Sequence, residues 1–163
     1  MANNYLQFSE FLDLDSATQA DWFEHQLAEI VVIDDKEWPV EEAPEFDAYA
    51  YRGLRFLRDY EGDPAGDPCD LDFQMEFRDD AAIHVWFYAE ESGDPGKVAH
   101  LVQKFLKEFA PDQYWSLTYA TTCSKPRIGE FGGGAVFVTA NGIFTHNSYA
   151  FVAEQQAAFA KKQ

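Results

Sequence analysis

The hydrophobic positions of this chain fall into two periods. Leu71-Asp-Phe-Gln-Met-Glu-Phe-Arg78 alternates strictly. Leu71, Phe73, Met75 and Phe77 share one face and Asp72, Gln74, Glu76 and Arg78 the other, which predicts a half-buried strand. After Asp79-Asp80 the chain returns as Ile83-His-Val-Trp-Phe-Tyr88, apolar on both faces, as in a strand covered on two sides. The period then changes. Val98, Leu101, Val102, Phe105, Leu106 and Phe109 recur at helical intervals behind Asp94-Pro95 and ahead of Pro111. Aspartate caps a helix, proline fits its first position, and a later proline stops it.

The remaining elements follow by the same rules. Tyr5–Glu10 alternates weakly and predicts a short first strand. Ser16-Ala-Thr-Gln19 has capping-box spacing, and Ala20, Phe23, Leu27 and Ile30 continue as a helix ending before Asp34-Asp35. Tyr114–Thr121 and Ala135–Thr139 read as strands, Asn141-Gly142 as a tight turn, and Ile143-Phe144 as a brief return. Asn147 or Ser148 then caps a last helix carrying Val152 and Phe159, with Lys161 and Lys162 in its last turn. Pro39, Pro44, Pro64 and Pro68 interrupt residues 34–70. The expected architecture is one α+β domain over residues 1–163. It is a ferredoxin-like βαββαβ core with an additional C-terminal strand and helix, and 34–70 is an irregular acidic insertion.

Residues 83–144 resemble the ferredoxin-like domain of YubB-like proteins from phages and plasmids. The likeness is carried by the strand Ile83–Tyr88, the helix Pro95–Phe109, the strand Tyr114–Thr121, Phe131-Gly132, a further strand and Asn141-Gly142. The family's segment before the helix holds a tryptophan and paired prolines, where this chain has Glu90-Glu-Ser-Gly-Asp-Pro95. The resemblance implies a small mobile-element protein with no established activity.

Charge narrows the function classes. The net charge is −17, and it is not spread evenly. Residues 1–94 hold 25 acids against 5 Lys/Arg, and residues 95–163 hold 4 acids against 7. Phosphates need a basic footprint, so nucleic acid is excluded as a direct ligand. A basic protein is the partner that such a surface suits, although net charge also serves solubility alone. No apolar run approaches the ~18 residues of a membrane span, and Met1–Tyr5 lacks the basic and apolar regions of a signal peptide. A cytoplasmic protein with no membrane partner is expected. Cys69 and Cys123 stand apart, which predicts two free thiols rather than a framework or a zinc site. No cofactor is expected. Asp63, Asp67, Asp70 and Asp72 do not follow a calcium-loop pattern, and no metal is expected.

Two groups of residues carry candidate chemistry. The first is the segment Cys123–Gly134, read as a loop between strands. Lys125 and Arg127 would supply charge to an anion, the amides of Gly132-Gly-Gly134 donors, and Cys123, Glu130 or His84 reactivity. It matches neither phosphate-loop nor dinucleotide spacing, and a plain strand connection explains it equally. The second is a surface: Trp86 and Tyr88, with His84, on the sheet face turned away from the helices, and the acids Asp63, Asp67 and Asp70. Such aromatics stack bases in RNA-binding domains, but the acidic first half opposes that. A core contact, the C-terminal helix, a homodimer or a partner groove would cover them. The sequence therefore reads as a non-enzymatic interaction module, in its narrowest form a nucleic-acid mimic that blocks a basic partner. The alternatives are a ligand-binding protein or enzyme with its site under the 123–134 loop, and an oligomeric scaffold without pocket chemistry.

Overall fold

The computed structural model describes residues 2–33, 36–39, 49–54, 69–70, 73–79 and 83–161. They form ten strands and three helices: β1 (Asn4–Leu14), α1 (Ala17–Gln26), β2 (Leu27–Ile33), β3 (Lys36–Pro39), β4 (Tyr49–Leu54), β5 (Cys69–Asp70), β6 (Gln74–Asp79), β7 (Ile83–Ala89), α2 (Pro95–Phe109), β8 (Tyr114–Cys123), β9 (Gly132–Thr139), β10 (Gly142–Asn147) and α3 (Ser148–Ala160). The class is α+β. The chain divides into two compact units, Met1–Asp13 with Asp72–Arg78 and His84–Gln163, and Leu14–Leu71 with Asp79–Ile83.

The first unit is a six-stranded antiparallel sheet, ordered β10-β9-β8-β1-β7-β6, with α2 on one face. β1 pairs with β8 from Asn4↔Cys123 to Phe8↔Tyr119, and β8 with β9 from Tyr114↔Thr139 to Thr121↔Gly132. The helix-side face forms the core. Phe8 and Leu12 of β1, Val85 and Phe87 of β7, Leu117 of β8 and Val138 of β9 are buried there, as is the α2 stripe of Val98, Leu101, Val102, Phe105 and Leu106. Burying each such side chain stabilises by about 1.5–3 kcal/mol. The edge-on contact of Phe87 with Trp115, 5.8 Å between centroids, adds to this.

α2 begins as its sequence dictates. Asp94 Oδ1 accepts from the amides of Gly96 at 2.7 Å and Lys97 at 3.2 Å, and Pro95 occupies the first turn. Ala110 N–H closes the last turn on Leu106 O at 3.0 Å, ahead of Pro111.

The second unit holds a four-stranded sheet ordered β3-β2-β4-β5. Two expectations change here. The first helix stops at Gln26, and Leu27–Ile33, expected to continue it, is strand β2. Ile30-Val-Val-Ile33 is a β-branched run that suits a strand, and β2 gains ladder bonds from β3 on one side and β4 on the other. The stretch 34–70, expected to be irregular, supplies β3, β4 and β5. The capping box is realised one residue off: Gln19 Oε1 accepts from Asp15 N–H at 2.7 Å.

A third expectation changes in the first unit. Gly132-Gly-Gly134, read as part of a loop, opens strand β9. The reason is steric. A Cβ on Gly133 would lie 2.5 Å from the Tyr119 carbonyl oxygen, and one on Gly134 would run into the His146 carbonyl oxygen and sit 2.6 Å from the Tyr119 hydroxyl. Glycine is required where backbone and ring approach this closely. β8 and β10 are likewise longer than expected, reaching Cys123 and Asn147. Ala140-Asn141 forms the connection from β9, with Thr139 Oγ1 accepting from the amides of Asn141 and Gly142.

Candidate functional site

Strand alternation places every second residue of β1, β6 and β7 on the sheet face opposite α2. Val85 and Phe87 go into the core, so His84, Trp86 and Tyr88 point the other way. Ser9, Phe11 and Asp13 join them from β1, and Glu76 and Arg78 from β6. This is the open-face position expected for Trp86 and Tyr88.

The rings form a row. Trp86 stacks on Tyr88 with centroids 4.1 Å apart and planes at 22°, and on Phe11 at 5.9 Å and 27°. Phe11 leans on His84 at 5.8 Å. The Arg78 guanidinium lies over the Trp86 ring, 4.7 Å from its centroid. Polar groups fix the row at its margins. Trp86 Nε1 donates to Ser9 Oγ at 2.9 Å, and His84 Nδ1 shares a 2.6 Å hydrogen bond with Asp13 Oδ1. Glu76 uses both oxygens: Oε1 accepts from the Tyr88 hydroxyl at 2.6 Å, and Oε2 lies 3.3 Å from Arg78 Nη2. The hydrogen bond to Glu76 raises the Tyr88 pKa above the ordinary phenol value, with loss of water and the charges of Glu76 and Glu90 adding to it and Arg78 opposing.

The chemistry this permits is recognition. A stack of rings can take a cation on a π-face that its neighbours leave uncovered, and a carboxylate beside it can hold that cation. Arg78 already occupies that role within the chain. The His84–Asp13 pair has the form of an oriented base, but its ring neighbour is Phe11 and, among the described residues, no nucleophile is hydrogen-bonded to it.

Of the residues expected to line a pocket under the 123–134 segment, His84 lies apart from the rest. Cys123 is buried opposite Asn4 at one end of β1, while His84 is bonded to Asp13 near the other. Nine residues of strand separate them, about 30 Å at 3.3 Å per residue. They also lie on opposite faces of the sheet. The connection is Ser124–Phe131, shorter than expected, because the glycines belong to β9. Lys125 and Arg127 are exposed on it, and Arg127 Nη1 faces Glu130 Oε1 at 3.7 Å. Glu130 Oε2 and Thr121 Oγ1 are buried without a hydrogen-bond partner. Of the acids expected to join the surface, Asp63 and Asp67 lie outside the described residues, and Asp70 ends β5 in the second unit. Among the described residues no three His, Cys, Asp or Glu side chains are grouped to hold a metal ion, and no helix is long and apolar enough to cross a membrane.

Phe11, Asp13 and Ser9 were not foreseen in the site, nor Glu76 and Arg78. The signal for the first three was present: beyond Glu10 the alternation continues, with Leu12 and Leu14 buried and Phe11 and Asp13 exposed. Comparison with protein-family models, with curated proteins and with solved structures finds no match.

Proposed function

We infer that this protein is a non-enzymatic interaction module that receives a basic segment of a partner protein on the open face of its larger sheet. One observation carries the reading: the Phe11–Trp86–Tyr88 row, edged by Glu76 and Asp13, with Arg78 lying on Trp86 as an incoming arginine would. The acid excess of residues 1–94 supports it, because a potential of one sign steers an oppositely charged partner. Mimicry of a nucleic acid, with carboxylates standing where phosphates would, is the narrow form of the same reading. The mobile-element setting rests on the resemblance of residues 83–144 alone. The strand order β8-β1-β7-β6 supports a ferredoxin-like core, with β9 and β10 added at one edge. A ligand site under the 123–134 segment is the lesser reading, since His84 lies at the other end of β1 from Cys123.

The test is partner capture on the immobilised full chain at low and at high salt, run beside Trp86→Ala and Glu76→Gln. A basic protein held at low salt, released at high salt and bound about tenfold more weakly by Trp86→Ala is the expected result. Salt-indifferent binding, or full retention by Trp86→Ala, overturns the reading.

A further inference from the structure

The C-terminal helix α3 has the composition of a buried element and only part of the cover, with Phe151 edge-on to His146 of β10 at 5.7 Å between centroids. Glu154 is the one charged side chain among its 13 residues. Tyr149, Phe151, Val152 and Phe159 are 50, 48, 51 and 64 % exposed, and no residue of the helix is buried. A helix apolar round its circumference belongs inside a structure, and one of this length is marginal alone in water. Its own chain fixes where it starts and how it leaves the sheet. Asn147 Oδ1 caps the amide of Ala150 at 2.8 Å, Gly133 N–H donates to Ser148 Oγ at 3.2 Å, and the Tyr149 hydroxyl lies 2.7 Å from Gly129 O and 2.9 Å from Phe131 O.

A second uncovered surface lies on the open face at the other end from the Trp86 row. Tyr114 of β8, Phe137 of β9 and Phe144 of β10 are 68, 41 and 63 % exposed. Their rings form a strip with centroids 5.1 and 6.5 Å apart. In a chain of net charge −17, no Asp, Glu, Lys or Arg occurs in β8, β9 or β10.

We propose that two copies of this chain exchange their C-terminal helices, each α3 lying across the Tyr114–Phe137–Phe144 strip of the other copy. The two surfaces are alike in size and in lack of charge. Thirteen residues make a helix about 20 Å long, enough to cross three strands spaced about 4.8 Å apart. At roughly 200 Å² per ring and about 150 Å² for a valine, the exposed parts of the three strip rings and of Phe151, Val152 and Phe159, which lie within about 100° of one another on the helix, come to about 650 Å² per chain. Reciprocal exchange buries twice that, about 1,300 Å², within the range of a stable interface. An acidic chain resists self-association. Here the contact uses the neutral strands and keeps the acid-rich residues out of it. The exchange does not rest on the basic partner: the Trp86 row belongs to β1, β6 and β7, and failure of partner capture leaves the exchange standing.

Sedimentation velocity and equilibrium on the full chain test it, with Phe151→Asp/Phe159→Asp as the helix variant and Phe137→Asp/Phe144→Asp as the strip variant. The wild-type chain is expected at twice its 18.6 kDa mass. Each variant is expected to dissociate, its dissociation constant raised roughly 100-fold, or tenfold for each of the two contacts that lose their rings. An equimolar mixture of the two variants is expected to form a heterodimer, because it restores one intact helix on one intact strip. All four positions are exposed, so the main unfolding transition should be unchanged. Should an aspartate pair alter it, the corresponding alanine pair carries the test with a shift of about tenfold. A monomeric wild-type chain, another stoichiometry, a dimer indifferent to the strip variant, or no heterodimer on mixing overturns the exchange.

Discussion

α2 and α3 begin in the same way and end up in opposite environments. Both follow an extended residue whose side chain accepts from the first-turn amides, Asp94 in one and Asn147 in the other. They are 15 and 13 residues long. Yet α2 buries Val98, Leu101, Val102, Phe105 and Leu106 against its own sheet, and α3 buries nothing. The difference is the arrangement of apolar residues. In α2 they return every three or four positions and leave Lys104, Lys107 and Glu108 outside, so one face has a single place to go. In α3 Phe151, Val152 and Phe159 share one side, but Tyr149 and alanines lie opposite them, and no polar face marks which side belongs inside. Caps and propensity make a helix; a stripe gives it an address in its own chain.

The sharpest way to break this comparison is to truncate one large side chain in each helix. Leu101 is fully buried, and Leu101→Ala should cost about 2–5 kcal/mol of unfolding free energy in urea. Phe159→Ala removes a larger group from a more exposed position. At a dilution that keeps copies apart, it should stay within about 0.5 kcal/mol of the parent chain. A large loss from Phe159→Ala in separated chains would mean that α3 packs within its own molecule, and the contrast would fall.

The same contrast explains what could be read in advance. α2 was legible because its signals are local and agree: cap, first-turn proline, stripe and terminating proline lie within residues 94–111. The open-face position of Trp86 and Tyr88 was legible because strand alternation is local too. The rest of the site was not. Ser9 meets Trp86 across 77 residues and Asp13 meets His84 across 71, and strand order decides such pairs. Gly132-Gly-Gly134 misled for a related reason. Glycine clusters usually mark turns, but here they make room for Tyr119 and the His146 carbonyl, neighbours that exist only once β8, β9 and β10 are paired. Leu27 and Ile30 fit a helical period and a strand equally; the ladders to β3 and β4 decided.

A milder perturbation tests the caps. Asp94→Ala leaves first-turn amides of a packed helix without their acceptor and should lower global stability by about 1 kcal/mol. Asn147→Ala removes the equivalent bond from α3. In separated chains it should reduce the helical circular dichroism while the main unfolding transition stays put, because fraying of an uncovered helix is local. A shift of the main transition equal to that of Asp94→Ala would show that α3 is coupled to the core as firmly as α2.

The smallest effect follows from the half-buried side of α2. His100 sits at the margin of the stripe, where loss of water, with a lesser push from the Lys107 charge, lowers its pKa below 6.5, and Asp94 only partly opposes this. The charged form is therefore worse off in the folded chain. Above pH 6.5 the ring is neutral in both states and costs nothing. As the pH falls below 6.5, the unfolded chain takes up the proton first, so stability declines until the folded value is passed. His100→Gln has no proton to gain. Thermal melts from pH 7.5 to 5 should show the parent chain losing more melting temperature than His100→Gln, with the gap opening below pH 6.5. His25, His84 and His146 are common to both proteins, and their contributions cancel in the difference. Parallel curves would show that water reaches His100 as freely as it reaches α3. The two helices would then differ in their large apolar side chains alone, not in how far each withdraws a polar group from solvent.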